Sequence, residues 1–464
     1  MDSLLCDELL QEIFHRLPPP SSAAVSLVSK RWLHLLRSST TALSVHFPPP
    51  YNSAAITSFS TFLTNHPFLS SLSIAGGGDD PLLLSVAYSC PNLRHLRYLT
   101  SPVSPFSLYS LSTCCVHLSS IAITISRPLS FHWLNFFNSL KSLSLYFANP
   151  SAEISNHEVN EMKGTLIDVE LNLESLSLCG IMPGDYGISY LWRNCKNVNK
   201  LQLKSCESLG DYSSFSCFIK LLSNLQILEL RTCRSVVDLV LLKLAENCVS
   251  LHSLLVYDGG SREGLLQFIN RSECNLRKLD FRLPLDLDNT HLIALSENLN
   301  FRGLVSLRLQ SCCVVAGEGL KAIATALANG LEELALINCD VVEREPGLLT
   351  TLGQNLKGLR KLDLSYNDML LDKELMSMLV SCNLLRELRL RGCCKLSNAA
   401  VGSIVRSCKW LQSVDITYCC GIKLEGVECL VLNTPMLKQV EVEESKLSEA
   451  ARKWAMSKFM EVVS

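Results

Sequence analysis

The chain is expected to fold as an α/β solenoid, with parallel strands lining one face and helices packed outside them. Three features of its 464 residues carry that expectation. The pattern L-x-x-L-x-L recurs, its first apolar position falling at Leu69, Leu93, Leu118, Leu140, Leu173, Val198, Leu225, Leu251, Leu276, Leu304, Leu331, Leu359, Leu385, Leu411 and Leu437. These fifteen copies have a mean period of about 26 residues. Cysteine recurs at two fixed places within the unit. One such unit cannot bury its own apolar face, but a stack can, and the long curved surface of a stack suits the binding of other macromolecules.

A period of roughly 20–29 residues with this core is the signature of the leucine-rich repeat. Residues 1–40 stand outside it. Behind an Asp7 cap, Leu9, Leu10, Ile13, Phe14 and Leu17 fall at helical spacing, and Pro18-Pro19-Pro20 stops that helix. Ser21 or Ser22 caps a second short helix through Val28, and KRWLHLLRS makes a third with Trp32, Leu35 and Leu36 on one face. Three short helices are too small for a generous core, so part of their apolar surface is expected to meet a neighbour or a partner. Residues 41–68 read as a linker and N-terminal repeat cap, with a first strand at Leu43-Ser44-Val45 and a loop at Pro48-Pro49-Pro50.

The array runs over 69–446, each unit contributing a strand such as LRKLDL (359–364), a turn, and an outer helix such as VVDLVLLKLAENC (236–248). Spacings are 24–28 residues, except 22 before Leu140 and 33 before Leu173. The long one holds ANPSAEISNHEVNEMKGT (148–165), polar and acidic, which reads as an inserted loop, with an elongated helical repeat as the alternative. Residues 447–464 read as a C-terminal capping helix, started by Ser448, with Trp454, Ala455 and Phe459 placed to cover the last repeat.

Composition narrows the function classes. Charged residues make up 19%, below the average of roughly 25%, so long disordered tails are not expected. A net charge of −2 provides no global field for nucleic acid or an anionic membrane. The opening MDSLLCDELL lacks the basic start of a secretory signal, and no apolar run reaches the roughly 18 residues of a spanning helix. These features point to a soluble protein of the nucleus and/or cytoplasm. The ten histidines show no H-E-x-x-H spacing, and G-x-S-x-G, P-loop and G-x-G-x-x-G motifs are missing. Gly76-Gly77-Gly78-Asp79-Asp80 lacks the lysine of a phosphate cradle and reads as a turn. Cys114-Cys115 with His117 reads as repeat packing, because a Cys and a His two apart on one turn rarely align as nucleophile and base. No catalytic residue, cofactor or metal is therefore expected.

The 21 cysteines fall largely into two registers. Cys206, Cys233, Cys312, Cys339, Cys393 and Cys419 sit three residues after the last strand position, where LDLSYN carries Asn367 instead. Cys90, Cys195, Cys248, Cys382 and Cys408 sit three residues before the first. A column of small, buried, weakly polar side chains at the turns explains both, since a thiol or an amide there can meet freed backbone groups. Metal binding would want paired C-x-x-C motifs. Cysteine richness without a secretion signal implies a reducing compartment.

The N-terminal segment LLCDELLQEIFHRLP, followed by VSLVSKRWLHLLRS, resembles an F-box, whose pattern runs L-P-x-E-x-L-x-x-I-F-x-x-L-P and then V-C-K-x-W-x-x-L. Leu5, Glu8, Leu10, Ile13, Phe14, Leu17, Pro18, Val28, Lys30, Trp32 and Leu35 fit it, while Cys6 replaces the usual proline and Ser29 the usual cysteine. With the cysteine-containing repeats behind it, the whole chain is similar to F-box/leucine-rich-repeat proteins, commonly plant ones. The resemblance implies that these residues bind a Skp-type adaptor, which links to a cullin scaffold and a RING subunit. A plain N-terminal helical cap is the competing reading of residues 1–40. The implied function is substrate recognition for an SCF-type ubiquitin ligase, without catalysis. The alternatives are a hormone or metabolite co-receptor, in which a small molecule completes the inner face, and a non-ligase repeat scaffold.

Strand side chains alternate, so the residue between the last two leucines and the residue two beyond it should face the inner side. Early repeats are bland there, with Ser73, Ala75, Ala122, Thr124, Ser144 and Ser177. Later ones are not, and Lys204, Arg231, Tyr257, Arg282, Arg308, Arg389 and Arg391 are the candidate target-binding residues. Clustered arginine forks suit carboxylate and phosphate, so this strip is expected to read an acidic or phosphorylated segment or an anionic cofactor. A solvated face neutralised by Glu229, Asp280 and Asp363 is the other reading.

Overall fold

The computed structural model describes residues 5–17, 21–149, 169–283 and 286–463. The chain divides into two compact units, Met1–Leu221 and Leu222–Ser464. The first opens with helices α1 (Asp7–Arg16), α2 (Ser21–Val28) and α3 (Lys30–Ser39). Leu10, Phe14, Val25 and Leu35 form their core, with Leu5, Trp32 and Leu36 packed against it. Asp7 is the first helical residue rather than the cap, which falls to Cys6 without a side-chain hydrogen bond. The Asp7 carboxylate is instead taken by Arg31 of α3 at 2.6 Å, whose guanidinium also donates to the Leu5 carbonyl at 2.9 Å. That pair clamps the first helix to the third.

Among its described residues, the first unit then carries strands β1 (Ala42–Phe47), β2 (Ser71–Gly76), β3 (His95–Leu99), β4 (Ser120–Ile125), β5 (Ser142–Phe147), β6 (Ser175–Cys179) and β7 (Lys200–Lys204). Each lies parallel to the next, and the pairing aligns Leu43, Leu72, Leu96, Ile121, Leu143, Leu176 and Leu201 in one row. From Leu72 onward this row is buried, each side chain contributing about 1.5–3 kcal/mol relative to exposure. A helix at Ser53–Thr64, started by Asn52, fills the segment that sequence alone read as linker and N-terminal repeat cap. The 22-residue spacing leaves no room for an outer α-helix between β4 and β5. A 3-10 turn at His132–Phe136 replaces it, with Phe131, Trp133 and Phe137 filling the layer. Residues 150–168 of the long spacing, which include nearly all of the expected loop, lie outside the described residues. Arg127 forms a two-pronged pair with Asp185 at 2.7 and 2.9 Å, both side chains largely buried.

The second unit carries strands β8 (Ile227–Arg231), β9 (Ser253–Tyr257), β10 (Lys278–Arg282), β11 (Ser306–Gln310), β12 (Glu333–Ile337), β13 (Lys361–Asp363), β14 (Glu387–Arg389), β15 (Ser413–Asp415), β16 (Gln439–Glu441) and β17 (Glu461–Val463). All neighbours are parallel. Outer helices bury one stripe: Val237–Asn247 turns in Val237, Val240, Leu241, Leu244 and Ala245, the spacing of an amphipathic helix. The C-terminal capping helix starts at the expected Ser448 cap and buries Ala455, but it is shorter than expected. The helix stops at Ser457, Phe459 adopts a left-handed backbone with φ 53° and is 96% exposed, and the chain returns as β17. Ala451 and Ala455 do the covering, because Val462 can then pair with Val440 and satisfy an otherwise open strand edge.

Both cysteine registers are structural. The post-strand residue before each thiol is left-handed, as at Ser205, Thr232, Ser311 and Tyr418, which turns the chain sharply outward. The thiol then reaches back to the preceding repeat: Cys206 to the Leu178 carbonyl, Cys339 to Leu309, Cys393 to Leu364 and Cys419 to Leu390. Asn367 does the same with an amide, donating to Leu336 and Leu364 and accepting from the Cys339 N–H. Cys90, Cys195, Cys248 and Cys408 close the outer helices at their C-caps. None of the 21 cysteines forms a disulfide.

Candidate protein-interaction surfaces

Helix α1 carries two apolar stripes, each spaced four residues apart. Leu10 and Phe14 point into the three-helix core, at 1% and 8% exposed, whereas Leu9 and Ile13 stand at 53% and 43%. The expectation that Leu10 and Phe14 offer themselves to a partner is therefore corrected: they hold the unit together, and so does Leu35. Trp32 is half-buried against Phe14, their ring centroids 5.3 Å apart. Leu5 is half-buried on the same core, and Glu8 and Lys30 are exposed. Leu17 and Val28 are exposed, as is Leu27, while Pro18 lies outside the described residues. The apolar surface left for a partner is thus Leu9, Ile13, Leu17, Leu27 and Val28. Leu9 and Leu27 were not among the expected contacts. The two-stripe spacing of Leu9/Ile13 and Leu10/Phe14 was the signal for the first of them.

On the second unit the strand register lines up Glu229, Leu255, Asp280, Arg308, Ala335, Asp363, Arg389 and Asp415 in one row. Arg231, Tyr257, Arg282, Gln310 and Ile337 make the next. Lys204 belongs to the first unit and is exposed at the end of β7. The arginines are largely matched by acids on the same strands. Arg231 meets Glu229 at 2.9 Å, Arg282 meets Asp280 at 2.7 Å, and Arg389 meets Glu387 at 2.7 Å. Arg308 reaches across the small Ala335 to Asp363 at 3.6 Å and sits 3.8 Å from Asp280. The hydrogen bonds that Arg282 donates to the Asp280 carboxylate hold its guanidinium pKa above the ordinary value. Such half-exposed pairs are worth about 0–1 kcal/mol each, so they remain exchangeable for a partner's charges. Ala335 leaves a polar cleft of ≈210 Å³ bordered by Arg308, Lys361, Asp363 and Arg389.

Arg391 differs from the rest. Its guanidinium lies 5.0 Å from the centre of the Tyr418 ring, and its buried Nε has no hydrogen-bond partner among the described residues. Gly392, with φ +75°, lets the Tyr366 ring come close, since a Cβ there would meet Cδ1 at 2.9 Å. Tyr366 and Tyr418 are each about half exposed, and sequence reasoning had not singled them out. This is an aromatic-backed cation, suited to a carboxylate or a phosphate.

Burial pushes the Cys195, Cys408 and Cys419 thiols up to about 12, so these side chains stay protonated packing groups rather than nucleophiles. Among the described residues no helix is long and apolar enough to cross a membrane.

Residues 3–41 match the family model of the F-box domain, and residues 304–324 and 407–431 match that of the leucine-rich repeat. Among solved structures, the chain is similar to one in the crystal structure of the Rad7 and Elc1 complex in yeast, at 16% identity and a TM-score of 0.48, covering 100% of this chain and 97% of that one. It is also similar to the leucine-rich repeat-containing protein LegL7 from Legionella pneumophila, at 16% identity and a TM-score of 0.43, covering 60% of this chain and 96% of that one.

Proposed function

For a chain that carries an N-terminal F-box domain and leucine-rich repeats, we propose the role of substrate-recognition subunit in an SCF-type ubiquitin ligase. F-box domains bind Skp1-type adaptors. The observation that carries the reading is the apolar face of Leu9, Ile13, Leu17, Leu27 and Val28, left outside a core that is already complete. In this reading the adaptor covers that face and connects the chain to cullin and RING subunits. The strand face of the second unit holds the target, with Arg391 as the cation best placed for an acidic or phosphorylated group. The chain itself performs no bond chemistry: it raises the effective concentration of target lysines near the charged ubiquitin-carrying enzyme. Work in the nucleus and/or cytoplasm fits this role.

The test is co-purification of the full-length chain with a Skp-type adaptor. Wild type should retain it, and Leu9→Glu/Ile13→Glu should lose it while the repeats stay folded by circular dichroism. A wild-type chain that captures no adaptor, or a double variant that captures it normally, overturns the proposal. Tandem purification with proteasome activity blocked would then identify the target.

A further inference from the structure

One register of the repeat changes character near the C-terminus. The residue just before the first repeat leucine is Asn, His or Ser in eight consecutive units, from Asn92 to Asn275, and Gly at 303, 330 and 358. Three of the polar ones serve the backbone: Asn92 donates to the Pro67 carbonyl, Ser139 to Val116, and Ser250 to Ser223 and Leu225. In the next three units the position is Leu384, Trp410 and Met436. Leu384 and Met436 cannot donate that hydrogen bond, Trp410 makes none among the described residues, and the three stand 45%, 40% and 54% exposed, respectively. Three large apolar side chains at one register of successive repeats form a continuous ledge where each strand begins.

The ledge is recessed, not flat. Arg360, Leu384, Arg386 and Trp410 line a cleft of ≈270 Å³ whose walls are mostly apolar. Its surroundings are mostly basic. The connecting segments 355–360, 380–386, 406–412 and 432–438 contain Lys357, Arg360, Arg386, Arg406, Lys409 and Lys438 and no acidic residue. Glu332 pairs with Arg360 at 3.4 Å, but Arg386 and Lys438 make no ion pair among the described residues. Lys409 spends its ammonium on the Val405 carbonyl and Arg406 on Ser403.

We propose that this edge docks an acidic peptide segment of a partner protein, which inserts one apolar side chain between Leu384 and Trp410 and sets its carboxylates against Arg386 and Lys438. A recessed pocket with a tryptophan and two arginines has the composition of an interface anchor point. The uncompensated cations select the sign of the partner, and the guanidinium of Arg386 can grip a carboxylate with two hydrogen bonds. The site is separate from the strand face assigned to the target, and it does not depend on the F-box reading.

The test uses the full-length chain and fluorescein-labelled hexapeptides that alternate Asp or Glu with Leu or Phe, measured by fluorescence anisotropy. Binding should weaken about ten-fold or more for Trp410→Ala and for Arg386→Glu, stay within about three-fold for Trp410→Phe, and be unaffected by Arg282→Glu on the strand face. Peptides with Ser in place of Leu and Phe should bind at least about ten-fold more weakly. Thermal melting should match wild type, since the substituted side chains are half exposed. Failure of the acidic-apolar peptides to bind, equal binding by the Ser peptides, or indifference to both Trp410→Ala and Arg386→Glu overturns the proposal. Trp410-dependent binding to phosphatidylserine vesicles without peptide binding overturns it in favour of a membrane surface.

Discussion

Replacing Asn367 with alanine strips three hydrogen bonds from a side chain that is 1% exposed. Its Oδ1 accepts from the Cys339 N–H at 2.9 Å, and its Nδ2 donates to the Leu336 and Leu364 carbonyls at 2.8 Å each. The Leu364 carbonyl keeps a second partner, the Cys393 thiol at 3.1 Å. The Cys339 N–H and the Leu336 carbonyl lose the amide with no replacement at hand. At about 1–3 kcal/mol for each buried group left unsatisfied, Asn367→Ala should cost about 2–6 kcal/mol. Asn367→Cys should cost less than about 2 kcal/mol, because thiols already do this work in neighbouring repeats. Cys339 donates to the Leu309 carbonyl at 3.5 Å, and Cys419 donates to the Leu390 carbonyl at 2.9 Å. Urea unfolding, followed by far-UV circular dichroism and by tryptophan fluorescence, measures both variants as shifts in midpoint at constant slope. A cysteine variant as unstable as the alanine variant, or an alanine variant within about 1 kcal/mol of wild type, would refute the idea that this register caps turn backbone.

Phe14→Ala should unfold the three-helix unit, because truncating a buried Phe costs about 3–5 kcal/mol and only four residues form that core; Ile13→Ala should leave it folded. Hydrogen exchange in α1 reads the difference, and equal protection in the two variants would contradict the assigned stripes. Asp185→Ala should destabilise the first unit by about 3–5 kcal/mol, since it leaves the largely buried Arg127 without its carboxylate. A loss under about 1 kcal/mol in thermal or urea unfolding would show that the pair is dispensable. Arg391→Glu should cut target capture about ten-fold or more with adaptor binding retained, and Arg282→Glu should do less, because Asp280 already holds the Arg282 charge. Unchanged capture by the Arg391 variant in the proteasome-blocked purification would move the target surface off the strand face.

Much of the architecture could be read from the chain because a repeat writes the same physics many times. The alternation of Leu143, Ser144 and Leu145 names the buried and open sides of β5, and the parallel register carries that assignment from strand to strand. Cysteines at fixed offsets named the turn columns before any contact was known. The same logic placed Glu229 beside Arg231 and Asp280 beside Arg282, two residues apart and so on one side of a strand. Where the period stopped, sequence became ambiguous. Two stripes of equal hydrophobicity on α1 fit a helix equally well, and only packing against Val25 and Leu35 decided that Leu10 and Phe14 go inside. The tail from Glu449 onward looked helical throughout, and the strand at Glu461–Val463 forms because an open sheet edge lies next to it.

What the sequence determined by itself is therefore local and periodic: strands every 26 residues or so, helices between them, three short helices in front, and thiols at the turns. What the tertiary structure decided is which groups satisfy one another across repeats. Asp7 with Arg31, Arg127 with Asp185, Arg308 with Asp363 and Arg391 with Tyr418 join residues 24 to 58 positions apart. Their energies depend on distance and burial in space, so periodicity along the chain could propose the partners only where both lay on one strand. The surfaces left for binding are what remains after those pairings are made. That is why Leu27 and Trp410 emerge as open positions only when the packed neighbours are known.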